Sequence, residues 1–191
     1  MSCRLACFLM STDLADHSYG AKDIMKAGID VYVSQGTIDT LRLTGHRVHQ
    51  IKALESFSVG SWTILPFDTV HDAAEPLGFL LANREGEKLL FVTDSHFSRY
   101  RFRGLTHIAI EINYELDLLR QNIANGITHP KAGLGVLSRH MNLETANRFF
   151  AANDMSRVEQ IHLLHLSDNS ADAIRFKNEI QKLVGRPVYV A

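Results

Sequence analysis

Apolar positions along the chain fall mostly into short runs of strand character, with helical periodicity confined to a few segments. Residues 4–10 (Arg-Leu-Ala-Cys-Phe-Leu-Met) read as a strand buried on both faces. Helix signals begin at His17, place Ile24 and Met25 on an apolar face and stop at Gly28. The β-branched and aromatic run 29–33 predicts a strand, and Gln35 to Leu43 a short helix ending near Gly45. Residues 47–51, 57–59 and 61–67 predict further strands, with Gly60 at a turn. Two more, 78–82 and 88–93, flank the polar hairpin loop Asn83-Arg84-Glu85-Gly86. A strand over 106–110 leads to a helix over 115–124, and a glycine-rich loop is expected around Pro130. Residues 143–153 form an amphipathic helix with Leu143, Ala146, Phe149 and Phe150 on one face. A strand over 160–165, a helix over 171–183 and a strand over 187–190 complete the chain. A β-rich first half and a mixed second half imply an α/β fold with helices against sheet faces.

The length of 191 residues suits a single domain spanning 1–191, and 46% hydrophobic with 21% charged residues suits a buried core. A formal net charge of -1 gives no sign of a polyanion binder or a membrane-surface protein, although a near-zero sum can hide a basic groove. No run reaches the length of a membrane span. The opening apolar run is too brief for a signal peptide and is followed at once by polar and acidic residues, so no membrane partner is expected. Cys3 and Cys7 are the chain's two cysteines. On one strand they point the same way but lie too far apart along it to bridge, which suggests a reducing compartment and the cytoplasm.

Histidines and aspartates gather just behind predicted strand ends, where ligand sites form in α/β folds. The groups are Ser11 to Ser18, with Asp13, Asp16 and His17; Asp68 to Asp72, with His71; Thr93 to His96, with Asp94; and His165 to Asn169. Imidazole and carboxylate are ligand types that zinc, manganese and iron accept. Asp16 also suits an ordinary helix N-cap.

The order of these groups, and the segments Asp16-His17-Ser18, His71-Asp72-Ala73-Ala74-Glu75-Pro76-Leu77-Gly78-Phe79, Thr93-Asp94, Glu111-Ile112-Asn113-Tyr114 and His165-Leu166-Ser167-Asp168, resemble the metallo-β-lactamase-fold hydrolases. The likeness extends to a small bacterial and phage branch related to ribonuclease Z and ribonuclease J. It implies an αββα sandwich with a shortened N-terminal sheet, because few residues precede the first motif. A homodimer covering that sheet is one implied assembly, and a truncated copy is the other. The resemblance carries metal ligation onto Asp16, His17, Asp94 and His165 at one site, and onto His71 at the other. Thr12 and Leu14 stand where two leading histidines of the family motif fall, so the first site is degraded. One divalent ion, zinc or manganese, is implied, and a second is doubtful.

His140 resembles the family histidine that faces a scissile phosphate, which with Asp16 would make it catalytic; capping of the helix at Leu143 is the plain alternative. Glu111 and Asn113 suit either support of the ligands or a buried structural pair. Arg99, Tyr100, Arg101 and Arg103 suit a solvated loop, or a surface beside a phosphate backbone. His46, His49, His96, His107, His129 and His162 have no assigned role. The leading reading is a phosphodiesterase- or nuclease-like hydrolase acting on a small phosphodiester or a nucleic acid. The competing one, supported by Thr12 and Leu14, is a catalytically silent binding or scaffold protein.

Overall fold

The computed structural model of the chain describes residues 7–14 and 18–191. They form two compact units. One runs to Asp68 and includes Asp72–Gly86; the other comprises Thr69–His71 and Glu87–Ala191.

The first unit opens with three short parallel strands, β1 (Cys7–Leu9), β2 (Asp30–Val33) and β3 (Val48–Gln50), with β2 central. Parallel neighbours need crossovers, supplied by helices α1 (Ala21–Lys26) and α2 (Gln35–Leu41). Met10, Ala21, Val31, Val33 and Leu43 are the buried core beneath them. Ser34 starts α2 by accepting the Thr37 amide, as an N-cap serine does. An antiparallel meander follows in β4 (Phe57–Val59), β5 (Trp62–Asp68) and β6 (Leu77–Asn83), with Gly60 at φ 59° in the first turn. Alternation within β5 buries Ile64 and Pro66 on one face.

The second unit is a parallel sheet in the order β7 (Lys88–Val92), β8 (His107–Glu111), β9 (Gln160–Leu164) and β10 (Val188–Val190). Ile108, Ile110, Ile161 and Leu163 are fully buried, the hydrophobic strand character that a sheet covered by helices requires. Helices α3 (Leu116–Ala124), α4 (Pro130–Arg139), α5 (Leu143–Ala152) and α6 (Ala173–Val184) connect or cover these strands. The amphipathic face expected on 143–153 is present, with Leu143, Ala146, Phe149 and Phe150 buried.

From β2 onward strands and helices otherwise fall within a residue or two of the sequence expectation, while the expected starts of the first strand and first helix lie outside the described residues; the segment around Pro130 corrects the expectation. Instead of a loop it is helix α4, with Pro130 at the first turn, where its missing N–H costs nothing, and His129 accepting the Lys131 amide. Gly133 is buried against the Ile123 side chain of α3, and a β-carbon there would press into it. The glycine that suggested a loop is thus a close-packing position. No helix among the described residues is long and apolar enough to cross a membrane.

Ile110→Ala, emptying the centre of β8, is expected to cost about 2–5 kcal/mol. Asn142→Ala, which removes the side chain accepting the Thr145 amide at 2.8 Å, should cost about 1 kcal/mol. Urea midpoints measure both, and equal losses would contradict the assignment of core and cap.

Candidate metal centre

Three adjacent parallel strands deliver three polar side chains to one end of the second unit. Glu111 is the last residue of β8, His165 directly follows β9, and Asp94 lies two residues beyond β7. Register pairs Glu111 with Leu164 and Val92 with Ile110, so these ends are level. Ligand sites in open α/β sheets form at the carboxyl ends of strands. The fourth group, His140, sits between α4 and α5.

Asp94, Glu111, His140 and His165 each offer one ligand atom within 4.8 Å of the others. His140 Nδ1 lies 2.6 Å from Glu111 Oε1 and 3.8 Å from Asp94 Oδ1. His165 Nδ1 lies 3.6 Å from Glu111 Oε1 and 3.8 Å from Asp94 Oδ1. The two imidazole centroids are 5.1 Å apart. Asp94 and Glu111 have no solvent exposure, whereas both imidazoles keep a solvent-facing part.

The backbone is bent for this arrangement. Asp94 and His165 adopt left-handed conformations, at φ 47° and 56°, a region sparsely used by non-glycine residues and enriched at functional sites. Asn113 clasps His165, donating from Nδ2 to its carbonyl at 2.7 Å, with the same nitrogen 3.3 Å from the ring Nδ1. The Ser95 amide donates to Glu111 Oε2 at 3.1 Å. Burial pushes the Glu111 carboxyl up, but hydrogen bonds to His140 and His165, and the charge those rings can carry, outweigh it and hold the group below 4.5.

The residues expected from the sequence are distributed as follows. Asp94 and His165 meet, and His140 joins them. Capping of α5 is not the work of His140, because Asn142 does it. His71 is in the same unit, with both ring nitrogens shielded from solvent and its ring edge-on to His140 at 5.5 Å between centroids. Asp16 and His17 lie outside the described residues. In the first unit Thr12 is buried and accepts the Leu14 amide at 3.4 Å, and Asp13 accepts the Ala74 amide at 3.0 Å. The Asp13 carboxylate therefore clamps a loop.

Sequence reasoning left Glu111 open between support and structure and gave His96 no role. Glu111 belongs to the cluster itself. The His96 Nδ1–H donates to the His140 carbonyl at 3.3 Å, tying the loop behind β7 to the segment that presents His140. For Glu111 a signal existed, an acid at a strand end; for His96 none did. His129 caps α4, and His162 stacks on Tyr189.

No family model and no curated protein matches the sequence. Solved structures do match. The metallo-beta-lactamase fold protein YhfI from Bacillus subtilis aligns with 96% of this chain and 73% of its own, at 14% identity and TM-score 0.69. Igni18, a metallo hydrolase from the archaeon Ignicoccus hospitalis, aligns with 96% of this chain and 74% of its own, at 14% identity and TM-score 0.66. A diphosphatase from the PhnP family aligns with 97% and 68%, at 14% identity and TM-score 0.62. The chain has the metallo-β-lactamase fold that its motifs suggested.

Because the Glu111 carboxyl is held below its ordinary value, the stability it contributes is fully present above about pH 4.5 and is lost as pH falls through its lower folded value. Urea unfolding in chelator should show wild type and Glu111→Gln separated at neutral pH and converging in acid. A gap that widens on acidification would reverse the sign of the coupling.

Proposed function

We propose that the chain is a metal-dependent hydrolase of phosphodiesterase or nuclease type, working with one divalent ion, zinc or manganese. One observation carries this reading: two buried carboxylates and two imidazoles converge at the strand ends of the parallel sheet. The donor types fit such an ion, since imidazole nitrogen and carboxylate oxygen are ligands these metals take. A solved neighbour described as a diphosphatase supports phosphate ester chemistry over the fold's other reactions.

Within the cluster the two acids divide the work. Both oxygens of Glu111 already have partners, the Ser95 amide and the imidazoles, so Glu111 orients rings. Asp94 and His165 would hold the ion, with Asp16 and His17 completing the set by resemblance. His71 would be the remnant of a first site degraded at Thr12 and Leu14. When bound, the ion supplies Lewis-acid polarisation and a more acidic water.

His140 is the proton carrier. Its Nδ1–H is spent on Glu111, which fixes the ring and leaves Nε2 to hold the proton passed to the leaving oxygen. A carboxylate behind an imidazole sets tautomer and orientation, as in a hydrolytic triad. Asn113 fixes His165 in the same manner, through its carbonyl.

Titration with zinc or manganese should show about one ion bound, and free metal at 100 times Kd should stabilise the fold by about 2.7 kcal/mol. Asp94→Asn and His165→Ala should lose that gain. His140→Gln should keep metal but lower kcat for bis-p-nitrophenyl phosphate by about 10²–10⁴. A wild-type protein that takes up neither metal would overturn the enzymatic reading and leave the silent scaffold, which Thr12 and Leu14 favour.

A further inference from the structure

The loop that follows Asp94 does more than hold Glu111 and His140. From His96 to Arg101 it forms one wall of a cavity of about 490 Å³, and α5 forms the other, with Thr145, Arg148 and Phe149. That volume suits a small organic ligand. Among the described residues three arginines line it, Arg99, Arg101 and Arg148, and no carboxylate does. Arg101 and Arg148 are exposed, and the ion pair of Arg148 with Glu144, at 3.9 Å, is itself solvent-facing, so the pairing is weak.

The apolar part is equally specific. Phe97 is 40% exposed although large and aromatic. Tyr100 is half-buried and leans on Phe102, their rings 6.4 Å apart, and Phe102 in turn meets Phe149. The Phe102 amide donates to Asn153 Oδ1 at 2.7 Å, which pins the loop to the end of α5. The wall is therefore anchored, and the cavity is lined by both aromatic and guanidinium groups. His96 lines the cavity and bonds the His140 carbonyl, so the cavity wall is tied to the segment that presents a member of the metal centre.

We propose that this cavity binds the nucleotide portion of a phosphoester, its phosphate against Arg101 and Arg148 and its base against Phe97 and Tyr100. Guanidinium forks match phosphate oxygens, and aromatic faces accept any base. That the nucleotide is part of the substrate rests on the hydrolase reading above; that the cavity binds it does not. The loop of Arg99, Tyr100 and Arg101 would thus be a recognition element.

The test is calorimetric titration of metal-free protein, in chelator, with adenosine 5′-monophosphate, inorganic phosphate and adenosine as separate probes. The monophosphate should bind more tightly than either fragment. Arg101→Glu and Arg148→Glu should each weaken it by about 10- to 100-fold, with Arg101→Gln and Arg148→Gln following in the same direction should the reversed charges unfold the chain. Phe97→Ala should weaken the monophosphate and leave phosphate unchanged. Binding that ignores both arginines, phosphate binding as tight as the monophosphate, or no binding of the monophosphate would each overturn the proposal. Arginine-dependent binding in a protein that never hydrolyses an ester once loaded with metal would sink the hydrolase reading and keep the cavity. Hydrolysis without such binding would do the reverse.

Discussion

A carboxylate with no access to water must be answered by donors, and Glu111 is the side chain whose answer organises the second unit. Leaving such a group ionised and unpaired in the interior costs several kcal/mol. The Ser95 amide meets one oxygen and His140 the other. Each partner comes from a different loop, so satisfying one acid sets the course of the chain after β7 and of the turn between α4 and α5. The His96 bond to the His140 carbonyl then closes the circuit between those two loops. The arrangement is a framework for chemistry because the same hydrogen bonds that make burial tolerable also aim the imidazoles.

Strain is the second side of that framework. Left-handed backbone at Asp94 and His165 costs on the order of 1–3 kcal/mol each. Such cost persists only where neighbours over-determine the geometry. The parallel ladder fixes the residues before each bend, and the Asn113 side chain holds the His165 carbonyl after it. Without the bends, a chain leaving a parallel strand would carry the next side chains along the strand axis, and the aspartate and histidine would not turn toward Glu111.

Much of this was legible in the sequence. Runs of β-branched residues marked the strands, and chemistry-bearing residues, Asp94 and His165 among them, stood just behind. The likeness to metallo-β-lactamase-fold hydrolases then paired Asp94 with His165 and supplied His140 and the fold. What escaped was decided by tertiary contact. Helix α4 hid behind Gly133 and Gly135, since a glycine needed for close approach to Ile123 looks the same in a sequence as one that breaks a helix. Asp13 looked like a spare ligand, but the Ala74 amide claims it from far along the chain. His96 and Arg148 acquire meaning only because α5 packs beside the loop after β7.

Charge balance links the centre to the cavity. With both imidazoles neutral the four groups carry two negative charges in a water-poor site, and a divalent cation or two bound protons would cancel them. Metal and acid therefore compete for one deficit, since both Nδ1 atoms lie within 3.8 Å of the Asp94 and Glu111 carboxylates. The Arg101 and Arg148 guanidinium groups stand outside this account, because both are exposed and no carboxylate among the described residues lines the cavity they face. Their charge suits something anionic that enters beside the centre, and this is why Arg101 and Arg148 read as recognition, with the buried acids reading as chemistry.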